Sequence, residues 1–315
     1  MTLLLQYTLI FASVLLLVAL GGCFSERSGV INIGLEGIMV IGALGGALVL
    51  KFLPVSVGPF VMVLATTLVS ALFGLLFSLL LAVAAINFKA DQTITGTAMN
   101  MLATAGATVA VKAMNTAASG GNDVSSDIAY PYAKDLLVVR TGSGFEFNWF
   151  MLIAVICLVV AYVALYKTRF GLRLRACGEH PQAADSVGIN VYKMRYAGVL
   201  ISGLLGGLGG IVYITAGVSV WKFENGVAGF GFLALAVMIF GAWHPLKIGL
   251  ASLLFGFLRA LGNVYSGFPF LAALEIPSFV YNMMPYIISL VVLAFTSKKS
   301  RAPKAEGIPY DKGSR

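Results

Sequence analysis

Residues 25–42 read "SERSGVINIGLEGIMVIG". The stretch lies between two apolar runs, and its right half has the composition of a membrane helix. Yet it carries Glu26, Arg27, Asn32 and Glu36, and glycines at Gly29, Gly34, Gly37 and Gly42. A charge at the bilayer centre costs about 2.5–3.5 kcal/mol even on the gentler insertion scales, so such residues face a cavity or a partner. Asn32 and Glu36 are four apart and would share one face of a helix, but Gly34 and Gly37 predict that the helix opens there. Glu26 and Arg27 are expected at the membrane edge, with Arg27 or Arg259 as candidate partners for Glu36.

The rest of the chain fits a membrane setting. It has 315 residues, 59% hydrophobic and only 11% charged, with a mean hydropathy of +0.93. A soluble domain is about a quarter charged. The apolar runs are continuous and about 20 residues long, which selects helices over barrel strands. The expected fold is therefore all-α and polytopic, a single transmembrane domain over 1–297. Runs near 3–22, 31–50, 59–86, 93–112, 148–166, 196–216, 227–243, 247–263 and 281–297 predict about nine helices, within a range of about eight to ten. The 59–86 run is long enough for a tilt or a hidden break. "LLLVALGGC" before Cys23 suggests a lipoprotein signal, but no basic residue precedes it, so the run is read as a retained first helix.

The net charge of +8 is concentrated in 167–195 and in the tail 298–315. This reads as cytoplasmic loops, not as a nucleic-acid surface. Counting spans puts Lys89, loop 167–195 and the tail inside, and the N-terminus and loop 113–147 ("NTAASGGNDVSSD" within it) outside. Cys23, Cys157 and Cys177 have no metal-ligand spacing, and neither a metal site nor a disulfide is expected. No nucleotide-binding G-x-x-x-x-G-K-[ST] and no Ser–His–acid set occurs, and His180 and His244 read as turn residues beside prolines, so no catalysis is expected of this chain.

The opening stretch has an echo. Residues 225–242, "NGVAGFGFLALAVMIFGA", match 28–43 with two extra residues: Gly29, Val30, Gly34 and Gly42 align with Gly226, Val227, Gly231 and Gly241. The copies run in opposite directions in the counted topology, which predicts an inverted repeat with a pathway at its interface. Asn100 lies mid-span among Thr93, Thr95, Thr97 and Thr104. Arg259 and Asn263 share a helix face, followed by Glu275 and Asn282. Asn32, Glu36, Asn100 and Asn263 are thus candidate pathway residues, with Trp221, Phe223 and Phe230 as aromatics that would stack on a flat solute. The competing reading has the asparagines satisfying backbone carbonyls between helices. "SGLLGGLGGI" (202–211) is a small-residue packing face.

The loop "TRFGLRLRACGEHPQAADSVGINV" (168–191) is basic but not low-complexity. Pro181 at a helix start and Gly188 past its end predict a short extramembrane helix. Together with "SGVINIGLEGIM" it resembles the permease subunits of ABC importers, in the branched-chain amino acid and simple-sugar superfamily. The wording "ERSGVINIGLEG" looks most like the nucleoside-type permeases. The resemblance spans about residues 15–296 and implies that the element Asn32–Ile33–Gly34 lines the translocation path as a broken or re-entrant helix, which adds Gly34 to the pathway residues. It implies alternating access driven by a separate ATPase, so ATP binds a partner and no cofactor binds here. It implies a location in the inner membrane, a second permease subunit forming a heterodimeric pore, and an extracytoplasmic binding lipoprotein. It also implies an ATPase contact at Gly171, Glu179, Pro181, Ala184, Asp185, Ser186 and Gly188. A ribose, other sugar or branched-chain amino acid permease, and an ion-coupled secondary transporter using Glu36 and Arg259, are the alternatives.

Overall fold

The computed structural model describes residues 2–130, 133–140, 145–216, 220–268, 277–296 and 302–313. The long helices are α1 (Thr2–Arg27), α2 (Leu35–Phe52), α3 (Gly58–Ala82), α4 (Gln92–Ala118) and α5 (Trp149–Lys167). They are followed by α8 (Val191–Thr215), α10 (Pro245–Val264) and α11 (Ser278–Thr296). Three shorter helices stand among the described residues: α6 (Arg169–Glu179), α7 (Pro181–Ser186) and α9 (Phe230–Phe240). Seven described segments are long and apolar enough to cross a membrane. The chain is a multi-pass membrane protein.

α1 forms the axis of the bundle. It is apolar all round, as a helix enclosed by protein should be, and nearly every side chain from Ile10 to Glu26 is buried. α8 lies against it and also contacts α2 and α3. The "GGLGG" of α8 sets this packing: a Cβ on Gly42 of α2 would strike the Gly207 backbone, and a Cβ on Gly207 would strike Ser70 and Gly74 of α3, so only hydrogen at these sites lets the three helices approach this closely. α3 sorts its residues oppositely to a soluble helix. Leu64, Leu68, Leu72, Leu76 and Leu80 face outward, whereas Thr66, Ser70, Gly74 and Ser78 are buried. Outward leucines suit lipid, and small inward residues allow close contact with α8.

A described helix lies in each of the nine expected runs, seven of them within segments long and apolar enough to cross a membrane, and three differ at their ends. The first helix runs to Arg27 rather than 22, because Gly21 and Gly22 are packed tightly against α8 and against α2 and α9 side chains and do not end it. Residues 28–34 are not helical, so α2 begins at Leu35. The 227–243 span is helical only over Phe230–Phe240, because Gly226, Ala228 and Gly229 adopt positive φ (56°, 53° and 79°). At 1.5 Å per residue α9 is about 16 Å long, half of a bilayer core of about 30 Å. The long third run ends in a π-helical turn, Val83–Asn87, which is its break.

The loop between α4 and α5 holds short strands that the sequence did not announce. β1 (Asp127–Ala129) pairs antiparallel with β4 (Val220–Lys222), and β2 (Val138–Arg140) with β3 (Glu146–Asn148). Both ribbons lie at the end of the bundle opposite α6 and α7. Glu275 falls outside the described residues, as do 297–301 at the start of the basic tail.

Candidate functional site

The break between α1 and α2 exposes backbone groups that a continuous helix would pair. Side chains from other helices pair them. Gln92 Oε1 accepts from Ile31 N at 2.7 Å. Asn100 Nδ2 donates to Ile33 O at 3.0 Å, and its Oδ1 accepts from Gly37 N at 2.7 Å. Both residues are on α4, two turns apart, and Gly96 between them lets α4 touch Gly34. Asn32, fully buried, donates to Ser202 Oγ on α8 at 2.9 Å. On the α1 side Ser25 Oγ donates to Val30 O at 2.7 Å and Gly29 N to Glu26 O at 2.9 Å, with Gly29 at φ 95° closing the helix.

Glu36, in the first turn of α2, reaches across to the second broken segment. Its Oε1 accepts from Gly229 N at 2.8 Å and its Oε2 from Gly231 N at 2.7 Å. These donors lie at the N-terminus of α9, where unpaired N–H groups and the helix dipole favour an anion. One carboxylate thus joins the starts of two half-length elements. Phe230, fully buried beside it, packs on Tyr213 (ring centroids 4.4 Å), on Phe11 (5.6 Å) and under the Arg259 guanidinium (5.5 Å). Tyr286 Oη approaches Ala228 O at 3.5 Å. Arg259 therefore sits next to the Glu36 cap, whereas Arg27 points elsewhere.

The chain reaches α9 from the β1–β4 end. Phe223 is buried, Trp221 packs edge-on against Tyr213 at 5.5 Å, and Glu224 pairs with Lys112 of α4 at 2.6 Å. That lysine holds the Glu224 carboxyl below its usual range. Thr104 faces Gly226. Beside the buried face of α4, Thr97, Asn100, Thr104, Thr108 and Lys112 form a polar stripe with partial or full exposure. Of the expected aromatics, only Trp221 is partly open; Phe223 and Phe230 are fully enclosed in this conformation. Asn263 is exposed near the end of α10 and is not among the groups that meet at the Glu36 cap. Two crevices of about 420 and 610 Å³ are lined almost wholly by apolar groups and do not include Glu36.

Glu26 and Arg27, at the end of α1, make contacts that the sequence does not announce. Glu26 is buried (4% exposed), with its Oε2 accepting from Trp243 Nε1 at 2.6 Å. Arg27 donates to Trp243 O at 3.2 Å and pairs with Glu179 at 3.7 Å. They hold the far end of α9 and the end of α6 against α1. A buried carboxyl needs such partners.

The expected extramembrane helix is present as α7, and the preceding α6 is an addition. Thr168 Oγ1 caps α6 by accepting from Gly171 N at 3.2 Å. Gly171 lies against the carbonyls of Ala164 and Leu165, so the loop folds tightly under α5. Pro181 and Ala184 are buried, Asp185 is partly so, and Gln182, Ala183, Ser186 and Val187 are exposed. Gly188 ends the helix at φ 82°. Among the residues sequence reasoning passed over, Gln92 had a signal: it stands eight before Asn100 on one face of α4. Ser202, Trp243 and Tyr286 had none.

Comparison with known proteins agrees with this architecture. Residues 4–296 match the family model described as branched-chain amino acid transport system / permease component. The chain is 42% identical to the guanosine ABC transporter permease protein NupQ of Bacillus subtilis, over 98% of this chain and 96% of that one. It is 40% identical to the nucleoside ABC transporter permease protein NupC of Lactococcus lactis (96% and 95%). It is 32% identical to the putative glucose ABC transporter permease protein TsgC13 of Haloferax volcanii (82% and 76%). A multi-pass bundle with two broken elements, matched over nearly its full length, makes this chain a member of the branched-chain amino acid transport system permease family, the permease components of ABC transporters.

Proposed function

We propose that this chain is the permease subunit of an ATP-driven nucleoside importer in the inner membrane. The observation that carries the reading is near-full-length identity of 42% and 40% to permeases named for guanosine and for nucleosides. Loop 167–195 and the tail face the cytoplasm, and the β1–β4 end faces outward toward a binding lipoprotein. The exposed side of α7 (Gln182, Ala183, Ser186) with Glu179, Asp185 and Gly188 meets the ATPase, while Gly171, Pro181 and Ala184 hold that helix in place. A second permease subunit completes the pore. The solute passes along the α4 stripe and the two broken segments, which are antiparallel halves of an inverted repeat. Asn32, Gly34, Glu36 and Asn100 sustain that wall, and Trp221, Phe223, Phe230 and Asn263 line it in the other state of the cycle.

ATP binding on the partner shifts the inward and outward states by binding one of them better. This subunit supplies path and lever. The test is uptake of labelled guanosine by the complete transporter in cells lacking other nucleoside carriers. Excess adenosine should abolish uptake, and ribose, glucose and leucine should leave it unchanged. Transport of glucose with no guanosine uptake would favour the sugar reading suggested by the Haloferax relative. Uptake that survives loss of the ATPase would overturn the importer reading and favour an ion-coupled carrier.

A further inference from the structure

The charge of the C-terminal tail marks it as a basic cytoplasmic segment. In the structure Pro303, Ala305 and Tyr310 are buried, and the tail crosses the face that carries α6 and α7. Ala305 N donates to Gly178 O at 2.8 Å, and Gly307 N to Gly29 O at 3.3 Å. These two bonds fall on opposite sides of one joint, because Gly178 lies directly against Arg27 and Gly29. Between them, the Glu306 carboxyl lies against that of Glu26, the partner of Trp243, a contact that requires a proton on one of the two. One residue on, Ile308 O accepts from Arg195 Nη1 at 2.9 Å; that arginine, on α8, is 1% exposed. The Tyr310 ring then closes a small core of Cys177, Ala184 and Val191, edge-on to Tyr192 at 5.4 Å. Its hydroxyl meets Asp185 of α7. Asp311 pairs with Lys89 at 3.3 Å.

The tail thus touches α7, the break between α1 and α2, and the α3–α4 turn. We propose that residues 302–313 form a strap that fixes α7 to the broken segment 28–34, making Tyr310 and Arg195 positioning residues for coupling. The proposal rests on the importer reading above. A push on α7 moves Tyr310 and Asp185 together, and the paired backbone at 305–307 carries that movement to Gly29. Without the strap, α7 joins the break through α6, by Glu179–Arg27 and the Gly178 contact, and through α8, whose Gly198 lies against Ser28; each of these routes runs through another helix, and part of each ATPase stroke is lost within the loop.

The experiment measures labelled guanosine transported per ATP hydrolysed, in proteoliposomes holding the complete transporter and its binding protein. A fold defect lowers uptake and stimulated hydrolysis together and leaves their ratio unchanged; a loose strap lowers the ratio. For Tyr310→Ala and for a chain ending at 301, the ratio should fall on the order of tenfold, as the docked tail loses most of its population. Tyr310→Phe keeps the ring and should stay within about twofold of wild type, losing only one hydroxyl contact. If the shortened chain does not assemble, the two point variants decide. A wild-type ratio in Tyr310→Ala, or equal loss in Tyr310→Phe and Tyr310→Ala, overturns the strap. If the wild type carries glucose instead of guanosine, the nucleoside reading fails, and the same ratio with labelled glucose still tests the strap.

Discussion

Replacing Glu36 by glutamine tests the central feature of the site with almost no change in shape. In the native chain each carboxylate oxygen accepts one α9 backbone N–H, at 2.8 and 2.7 Å. Glutamine keeps one acceptor oxygen and turns an NH2 toward the other donor. A hydrogen bond to a charged group contributes about 1.5–3 kcal/mol, and a donor left buried and unpaired costs about 1–3 kcal/mol. The favourable alignment of the charge with the α9 dipole, about 0.3–1 kcal/mol, is lost as well. Glu36 is only partly buried in the single chain, so water answers some of this, and the lower end of the sum, about 3 kcal/mol, is the expected cost.

Where that cost appears is informative. If the cap persists in every state of the transport cycle, the apparent melting temperature of the purified protein should fall by roughly 6–12 °C, at about 2–4 °C per kcal/mol. If the cap forms in one state only, stability should change little, and that state should lose about 150-fold in population. Uptake would then fall while the folded protein persists. Both quantities are measurable on one preparation, by a thermal shift in detergent and by uptake in vesicles. Glu36→Asp, shorter by one methylene, cannot span both donors and should resemble Glu36→Gln. A Glu36→Gln protein with wild-type melting and wild-type uptake would refute the assignment of Glu36 as the tie between α2 and α9.

Further outcomes follow from other contacts. Asn100→Leu leaves Gly37 N and Ile33 O unpaired and should cost about 2–4 kcal/mol in thermal stability, whereas Asn100→Asp keeps the acceptor for Gly37 and should cost about half as much. Gly42→Val drives α2 away from Gly207 and should lower the yield of folded protein, with a cost of about 3 kcal/mol or more. Replacing 179–186 with a Gly/Ser linker should abolish uptake while the bundle still inserts and melts cooperatively; retained uptake would remove α7 from the coupling role. Burial pushes the Glu306 carboxyl above its usual range, against the pull of its bond with Glu26 and of the Arg27 charge. A carboxyl raised in the docked state favours docking most at acid pH, and the benefit is lost as pH rises through the raised value. Protease protection of the tail should therefore weaken as pH rises from the ordinary carboxylate range, and Glu306→Gln should flatten that profile.

Much of the bundle could be read from periodicity and loop charge, because each long apolar run must close its own backbone in lipid. The half-length of α9 could not. Its sequence "FGFLALAVMIF" is as apolar as a full span, and what shortens it is positive φ at Gly226, Ala228 and Gly229, a conformational choice that hydropathy does not register. The buried position of Glu26 was hidden for a related reason: its partner Trp243 is 217 residues away. Asn100 was legible as a polar residue needing a partner, but its targets are main-chain groups, and main-chain groups look the same at every position of a sequence. The strap was obscured by composition. Lys298, Lys299 and Arg301 lend the tail a basic character, while its packing is done by the "APKAEGIPY" that follows.

The polar groups of residues 25–42 are therefore distributed by a single need. Breaking a helix frees N–H and C=O groups, and inside a membrane no bulk water meets them, so each must find a partner. Here the partners at the start of α2 come from α4 and α8, and α2 itself returns one to α9 through Glu36. Such a joint cannot slide freely. Moving α4 relative to α2 must give up the Gln92 and Asn100 bonds, and moving α9 must give up both bonds to Glu36. At about 1 kcal/mol net for a neutral bond and about 1.5–3 for one to a charged group, partial rupture costs several kcal/mol. That lies within reach of a population shift driven by a ligand with a 10³- to 10⁴-fold preference for one state, roughly 4–5.5 kcal/mol. A break stitched by side chains is in this sense suited to two discrete arrangements: the bonds hold each state rigid, and they are few enough to be exchanged within one cycle.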